Sequence, residues 1–182
     1  MGPRGRYACR DRSRLTIRIR PARPPDAILL PAVEVSAGAS FRDIPDLTWI
    51  ADDEVGSPDF HAPLIEAGTV WVADAEGGEV VGFLTAEHFG ADLHIWEVAV
   101  AHEAQKQGVG RRLIDEAARH ARKTGLSSLT LTTFRDVAWN APFYARIGFE
   151  TIAPDTDDRL RGILEQEAER GLSRRCAKRM TL

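Results

Sequence analysis

The residues best suited to chemistry lie in one run, Glu97-Val98-Ala99-Val100-Ala101-His102-Glu103-Ala104-Gln105-Lys106-Gln107-Gly108-Val109-Gly110-Arg111-Arg112-Leu113. It reads as a strand, a short polar turn and a glycine-punctuated helix start. Leu93 to Val100 is aliphatic and aromatic, which suits a buried strand. From Val109 the apolar positions Val109, Leu113, Ile114, Ala117, Ala118 and Ala121 fall on one helical face. Gly108 and Gly110 remove side chains where the first helical turn begins. Bare N–H groups at a helix N-terminus, carrying about half a positive charge from the helix dipole, attract phosphate oxygens. Lys106, Arg111 and Arg112 add cationic side chains around the same point. The expected ligand is an anion, a diphosphate above others. Glu97 sits inside the strand, and a buried carboxylate is costly unless it is paired or in use. Strict alternation places it with Ile95 and Ala99, opposite Trp96, Val98 and Val100.

A second run, Asn140-Ala141-Pro142-Phe143-Tyr144-Ala145-Arg146-Ile147-Gly148-Phe149, follows in order with one strand between. Taken together, Gln105-x-x-Gly108-x-Gly110 after a strand and a tyrosine helix leading into Gly148-Phe149 resemble the acetyl-CoA signature of the GNAT N-acetyltransferase superfamily. The resemblance extends in element order from about Leu15 to the C-terminus, and in recognisable motifs from Glu97 to Phe149. It implies acetyl-CoA as co-substrate, no metal, and transfer of an acetyl group to a primary amine. Backbone groups of Val98 and Val100 would hold the pantetheine arm like an added strand. The pyrophosphate would rest on Lys106, Gln107, Gly108, Val109, Gly110 and Arg111, with Gln105 where the family has arginine or glutamine. Glu97 would act as a base through water, with His94 and His88 as weaker candidates, and Tyr144 would donate a proton to the departing thiolate. The family's asparagine, seven residues before the tyrosine, is replaced by Val137. Asn140, four before it, either contacts the CoA arm or caps the short helix, and its offset favours the cap.

The chemistry explains why such groups are needed. An alkylamine of pKa near 10.4 is only about 0.04% neutral at pH 7, so its proton needs a base or a route out. Proton transfer from an ordinary tyrosine to a thiolate is uphill by about 1.5 pKa units, roughly 2 kcal/mol. Tyr144 would therefore act by a hydrogen bond that strengthens as charge develops, unless the site shifts either group.

The elements that must position these residues follow from the remaining pattern. Residues 1–14 hold Arg4, Arg6, Arg10, Arg12 and Arg14 with few apolar residues, and read as a disordered tail. Leu15 to Arg20 alternates as a half-buried strand. Asp26 is placed to cap the helix that follows, with Pro31 kinking it or delaying its start and Gly38 closing it. Residues 39–68 show the least periodicity; Phe41, Arg42, Trp49, Asp52, Asp53 and Glu54 fall where the family builds its acceptor pocket, although an exposed acidic loop is the simpler reading of the carboxylates. Thr69–Asp74 and Glu79–His88 are strands joined at Glu76-Gly77-Gly78. Gly125 ends the long helix, Ser127–Phe134 and Phe149–Ala153 are strands, and Leu160, Ile163, Leu164 and Ala168 mark a last helix before a closing strand from Arg175. The expected fold is mixed α+β (α/β), a GNAT-like three-layer arrangement with a central mixed, mostly antiparallel sheet flanked by helices. Residues 15–182 would form its single domain.

Composition narrows the classes further. A chain of 182 residues, 43% hydrophobic and with a net charge of −3, can bury a core and offers no general surface for nucleic acid or anionic membranes. Cys9 and Cys176 have no metal-ligand spacing, and a cytoplasmic setting is the simplest. No apolar run reaches spanning length, and no hydrophobic signal segment follows the basic start. A dinucleotide fold is disfavoured because the Gly-x-Gly-x-x-Gly run is missing and hairpin strands precede the glycines. A non-catalytic acyl-CoA-binding module would keep the glycine turn without needing Glu97 or Tyr144, whose joint presence favours an enzyme. The acceptor is expected to be a small molecule, with a protein N-terminus or lysine as the alternative. Family members often dimerise, so the resemblance allows a homodimer.

Overall fold

The computed structural model describes residues 16–182; the arginine-rich stretch 1–14 and Leu15 lie outside them. Seven strands form one sheet in the order β1-β2-β3-β4-β5-β7-β6. They are β1 Arg18–Pro21, β2 Val70–Asp74, β3 Val80–Phe89, β4 Asp92–Val100, β5 Ser128–Phe134, β6 Glu150–Ile152 and β7 Arg175–Thr181. All pairings are antiparallel except β4 with β5. The helices are α1 Leu30–Gly38, α2 Pro58–Glu66, α3 Val109–Lys123, α4 Ala141–Arg146 and α5 Asp158–Glu169. This is the mixed, mostly antiparallel sheet flanked by helices that the pattern predicts.

Two apolar layers cover the sheet. On one face Leu93, Ile95, Leu113, Ile114, Ala117, Ala121, Leu129 and Leu131 bury the stripe of α3 against the central strands. On the other, Leu30, Val33 and Ile65 of α1 and α2 pack on Val70, Val72, Phe83 and Ala99. Gly125, at φ 76°, ends α3 in the left-handed region, as predicted.

Three local expectations are corrected. Asp26 does not cap α1: it closes a 3-10 turn at Pro24–Asp26, accepts from the Arg23 N–H at 2.6 Å, and pairs with Arg20, which also holds Asp74. Pro31 instead delays the helix, whose first residue is Leu30. The stretch with least periodicity contains α2, started by Ser57, whose hydroxyl accepts from the Phe60 N–H, and by Pro58 in the first turn. Pro63 inside that helix is what obscures it in sequence.

The third correction bears on the site. The β3–β4 register pairs Thr85 with Glu97 but Ala86 with Ile95, so Trp96 is an extra, bulged residue. The bulge reverses the side-chain parity of the strand. Leu93 and Ile95 belong to the α3-side core, and beyond the bulge Val98 and Val100 pack against that same core. Ala99 lies in the α1–α2 layer, and Glu97, two residues before it, shares that face. Glu97 therefore stands with Ala99 but opposite Ile95, contrary to simple alternation.

His94, at the other end of β4, is 1% exposed, and its Nδ1 lies 3.0 Å from the Thr130 hydroxyl. Burial, aided by nearby Arg159, lowers its pKa to about 3. It stays neutral in the folded chain while the unfolded chain takes up a proton near pH 6.5. Its contribution is therefore fully present above that pH and is lost as pH falls towards 3, with a slope of up to about 1.4 kcal/mol per pH unit. Denaturant melts between pH 4 and 7 are expected to show less of this loss in His94→Leu than in wild type.

Candidate active site

β4 pairs with β3 along Gly82–Phe89, but with β5 only from Asp92 to Ile95. Past the bulge the two central strands part. The Ala101 N–H donates to the Val81 carbonyl at 2.9 Å, and antiparallel alternation then turns the backbone groups of Ala99 and Glu97 towards β3. Those of Val98 and Val100 face the gap. The Val100 carbonyl accepts from Gln105 Nε2 at 3.0 Å, which confirms that direction.

The turn leaving β4 brings the glycine motif to the end of this gap. Lys106 adopts φ 60° and Gly108 φ 82°, both left-handed, and Gly108 is the N-cap of α3 with no side chain capping it. The first N–H groups of α3, at Val109, Gly110 and Arg111, have no intrahelical acceptor by helix geometry. A Cβ on Gly110 would touch the Val100 and Val98 side chains at 3.8 and 3.9 Å, so the helix start lies directly against the open edge. Gln107 Nε2 donates to the Glu103 carbonyl, and Gln105 Oε1 accepts from the Ser40 hydroxyl at 3.0 Å. Arg111 lies near Asp115 at 3.8 Å on the exposed side of α3. Ser36 of α1 accepts from the His102 N–H at 3.0 Å. The turn is thus fastened to β4, to α1 and to the 3-10 turn after it.

Tyr144 lies in the α3-side core, 9% exposed, between Phe143 and Phe149 with ring centroids 5.2 and 5.5 Å away. Burial pushes its pKa up to about 12, against a lowering by Arg175 and with a smaller push from Glu97. Asn140 precedes α4 but its side chain makes no cap bond, which corrects the expected role. Its carbonyl instead accepts from the Tyr144 N–H at 3.0 Å.

Glu97 has neighbours that sequence reasoning missed. Ligand atoms of Glu34 on α1, His61 on α2 and Glu97 on β4 all lie within 4.8 Å of one another. Burial first, then the Glu34 charge, raises the Glu97 pKa well above the usual carboxylate range. Glu34 is raised by burial and by Asp53, against the Gly56 N–H that donates to it at 2.8 Å. His61 is fully buried and its pKa is lowered by burial, so it is neutral at pH 7. Nothing in sequence spacing joins positions 34, 61 and 97; His61 lies in the stretch of least periodicity, and Glu34 belongs to no motif.

Other candidates are placed elsewhere. His94 is sealed against Thr130, and His88 packs by His120 with ring centroids 5.8 Å apart. Arg42 and Asp52 form an exposed pair, Phe41 sits edge-on to Phe134 and Trp139, and Trp49 and Glu54 are exposed. Cys176 is a buried filler of β7.

The family model for the acetyltransferase (GNAT) domain matches residues 66–151, which hold both motifs and the parted strands. Those residues carry a GNAT acetyltransferase domain. It is 28% identical over 137 residues to the uncharacterized N-acetyltransferase YvbK of Bacillus subtilis, spanning 75% of this chain and 86% of that protein. The fold is similar to that of the PaiA N-acetyltransferase from Thermoplasma acidophilum in complex with coenzyme A, with a TM-score of 0.68 and 16% identity over 92% of this chain and 99% of that one. It is also similar to the ribosomal-protein-S18-alanine N-acetyltransferase from Escherichia coli, with a TM-score of 0.65 and 16% identity over 91% of this chain and 94% of that one.

The glycines separate fold from ligand. An alanine at position 108 has open space around it but must hold a left-handed φ, so Gly108→Ala is expected to lose about 1 kcal/mol of stability. Gly110→Ala, in ordinary contact and at a helical position, should leave the melting temperature unchanged or raised. Thermal melts of the two variants check both.

Proposed function

We propose that this N-acetyltransferase moves the acetyl group of acetyl-CoA to a primary amine of a small molecule, with Glu97 as base and Tyr144 as hydrogen-bond donor to the leaving sulfur. The observation that carries the reading is the parting of β4 and β5 beside Glu97, with the side-chain-free start of α3 at its end. A pantetheine arm needs amide partners along its length, and Val98 and Val100 offer an unpaired strand edge. A pyrophosphate needs N–H donors without competing acceptors, and Lys106 to Arg111 supply them. Acetyl-CoA supplies the thioester whose acyl carbon is attacked. Gln105, already bonded to Val100, sets the curvature of the turn rather than holding the ligand through its side chain.

The acceptor arrives as R–NH3⁺. One proton passes to the Glu97 carboxylate, and the freed lone pair forms the C–N bond as the C–S bond breaks. The second nitrogen proton leaves as the amide forms, and the sulfur ends as CoA thiol, so the balance is acetamide, thiol and one released proton. A Glu97 pKa raised by burial brings the base closer to the amine, making this transfer easier than it is to an ordinary carboxylate. Tyr144 at about 12 is 3.5 units above an ordinary thiol, about 5 kcal/mol uphill for complete transfer. It therefore donates a hydrogen bond to the sulfur, which takes its proton finally from water.

A protein acceptor is the second reading, favoured by the likeness to the Escherichia coli enzyme named for a ribosomal-protein alanine. The half-buried carboxylates of α1 and β4 favour small cations, because a peptide strand needs an open cleft along its length.

A thiol-release assay with acetyl-CoA against small amines and peptides tests the reading. Tyr144→Phe should lower kcat by about 10- to 1000-fold. Unchanged turnover would remove Tyr144 from the reaction. The kcat/KM of wild type should fall as pH drops through the raised Glu97 pKa, above the ordinary carboxylate range, and Glu97→Gln should abolish that limb together with most of the activity. Calorimetry showing no binding of acetyl-CoA would overturn the whole assignment.

A further inference from the structure

We infer that Glu34, His61 and Glu97 together form a three-acceptor seat for the ammonium group of the acceptor, which makes the substrate a primary amine bound as its cation. This rests on the transferase reading above and adds two residues to it, one on α1 and one on α2.

Two carboxylates and a neutral imidazole, each from a different element, have ligand atoms within 4.8 Å of one another. Two like-charged carboxylates, both half-buried, repel one another unless a proton or a cation lies between them. His61 adds an independent sign. It is fully buried, and its Nε2 has no hydrogen-bond partner among the described residues. Buried polar nitrogens are almost always satisfied, so an orphan points to a missing partner. The Nε2 atom lies on the Glu34 side, since a Cβ on Gly56 would come within 2.9 Å of it and the Gly56 N–H donates to Glu34. The other ring nitrogen, Nδ1, lies 3.5 Å from the Thr85 hydroxyl, and Thr85 is the cross-strand partner of Glu97. In the tautomer whose Nδ1–H donates to the Thr85 hydroxyl, Nε2 is left to accept.

Donor count selects the guest. An ammonium nitrogen placed about 2.9 Å from three acceptors in tetrahedral directions spreads them to about 4.7 Å, a separation the cluster admits. R–NH3⁺ has three N–H bonds for three acceptors, with the fourth direction left for its carbon chain. A secondary ammonium satisfies two of the acceptors and a tertiary one satisfies one. Glu97 serves in both settings: it holds the cation, then takes its proton. Glu34 and His61 keep the nitrogen in place and are positioning residues.

The test uses butylamine and N,N-dimethylbutylamine as probes at pH 8, where both are mainly cations, with CoA-loaded protein and calorimetry. Butylamine should bind at least 10-fold more tightly than its dimethyl derivative. Glu34→Gln and His61→Leu should each weaken butylamine at least 10-fold while leaving acetyl-CoA affinity within twofold, and His61→Gln, which restores an acceptor oxygen, should recover part of the loss. If His61→Leu does not fold, Glu34→Gln carries the comparison. Equal affinity for the two amines, no detectable butylamine binding, unchanged affinity in the variants, or tight zinc binding that depends on all three side chains would each overturn the seat. Those results, with acetyl-CoA binding and thiol release intact, would leave the transferase reading standing; wild-type protein that fails to bind acetyl-CoA would instead remove the reading beneath it.

Discussion

A sheet is held by its backbone hydrogen bonds, and here the ladder between the two middle strands stops after Ile95. Buried N–H and C=O groups left without partners are costly, so an interruption at the centre of a seven-stranded sheet has to be met by something other than a strand. The protein supplies part of the answer through Gln105, whose amide reaches the Val100 carbonyl. The remainder is the open edge to which we assign the pantetheine arm. The neighbouring features follow from that interruption. The Trp96 bulge ends the regular twist, the left-handed turn at Lys106 and Gly108 swings the chain around, and α3 begins against the open edge.

The bulge also decides which chemistry each side of the gap receives. With uninterrupted alternation, Glu97 would face the α3-side core beside Ile95, among aliphatic side chains and with no other carboxylate. One extra residue turns it to the layer made by α1 and α2, where Glu34 and His61 wait. Val98 and Val100 meanwhile keep the α3 side continuous. Tyr144 is held by Phe143 and Phe149 in that same α3-side core, so the proposed base and hydrogen-bond donor belong to different layers.

Much of this was legible because local signals and tertiary demands agree. The α3 stripe, the Gly125 end, the Gly77-Gly78 hairpin and both motifs appear in the structure where the pattern puts them. The misses have physical reasons. Pro63 masked a helix that Ser57 and Pro58 announce clearly. Asp26 is claimed by Arg20 and by the Arg23 N–H before it can cap anything. Asn140 stands at a helix start, but its backbone rather than its side chain makes the bond to Tyr144. The parity change had a readable trace: apolar residues at 93 and 95 resume at 98 and 100, an odd step that alternation does not allow. Glu34 and His61 left no such trace, since only the packing of α1 and α2 brings them to Glu97.

The two serines of the first helical region tie it to the turn at the head of α3, Ser36 through the His102 N–H and Ser40 through Gln105. Among the described residues no such tie joins α2 to that turn; α2 is held by its own Ser57 cap, by Ile65 in the core and by the contact between His61 and Thr85. For anyone reshaping this protein to take a different amine, the two helices are therefore unequal ground. Replacements on α1 will be felt at the turn that opens α3, whereas the outward face of α2 is a module that can be rewritten while that turn stays intact.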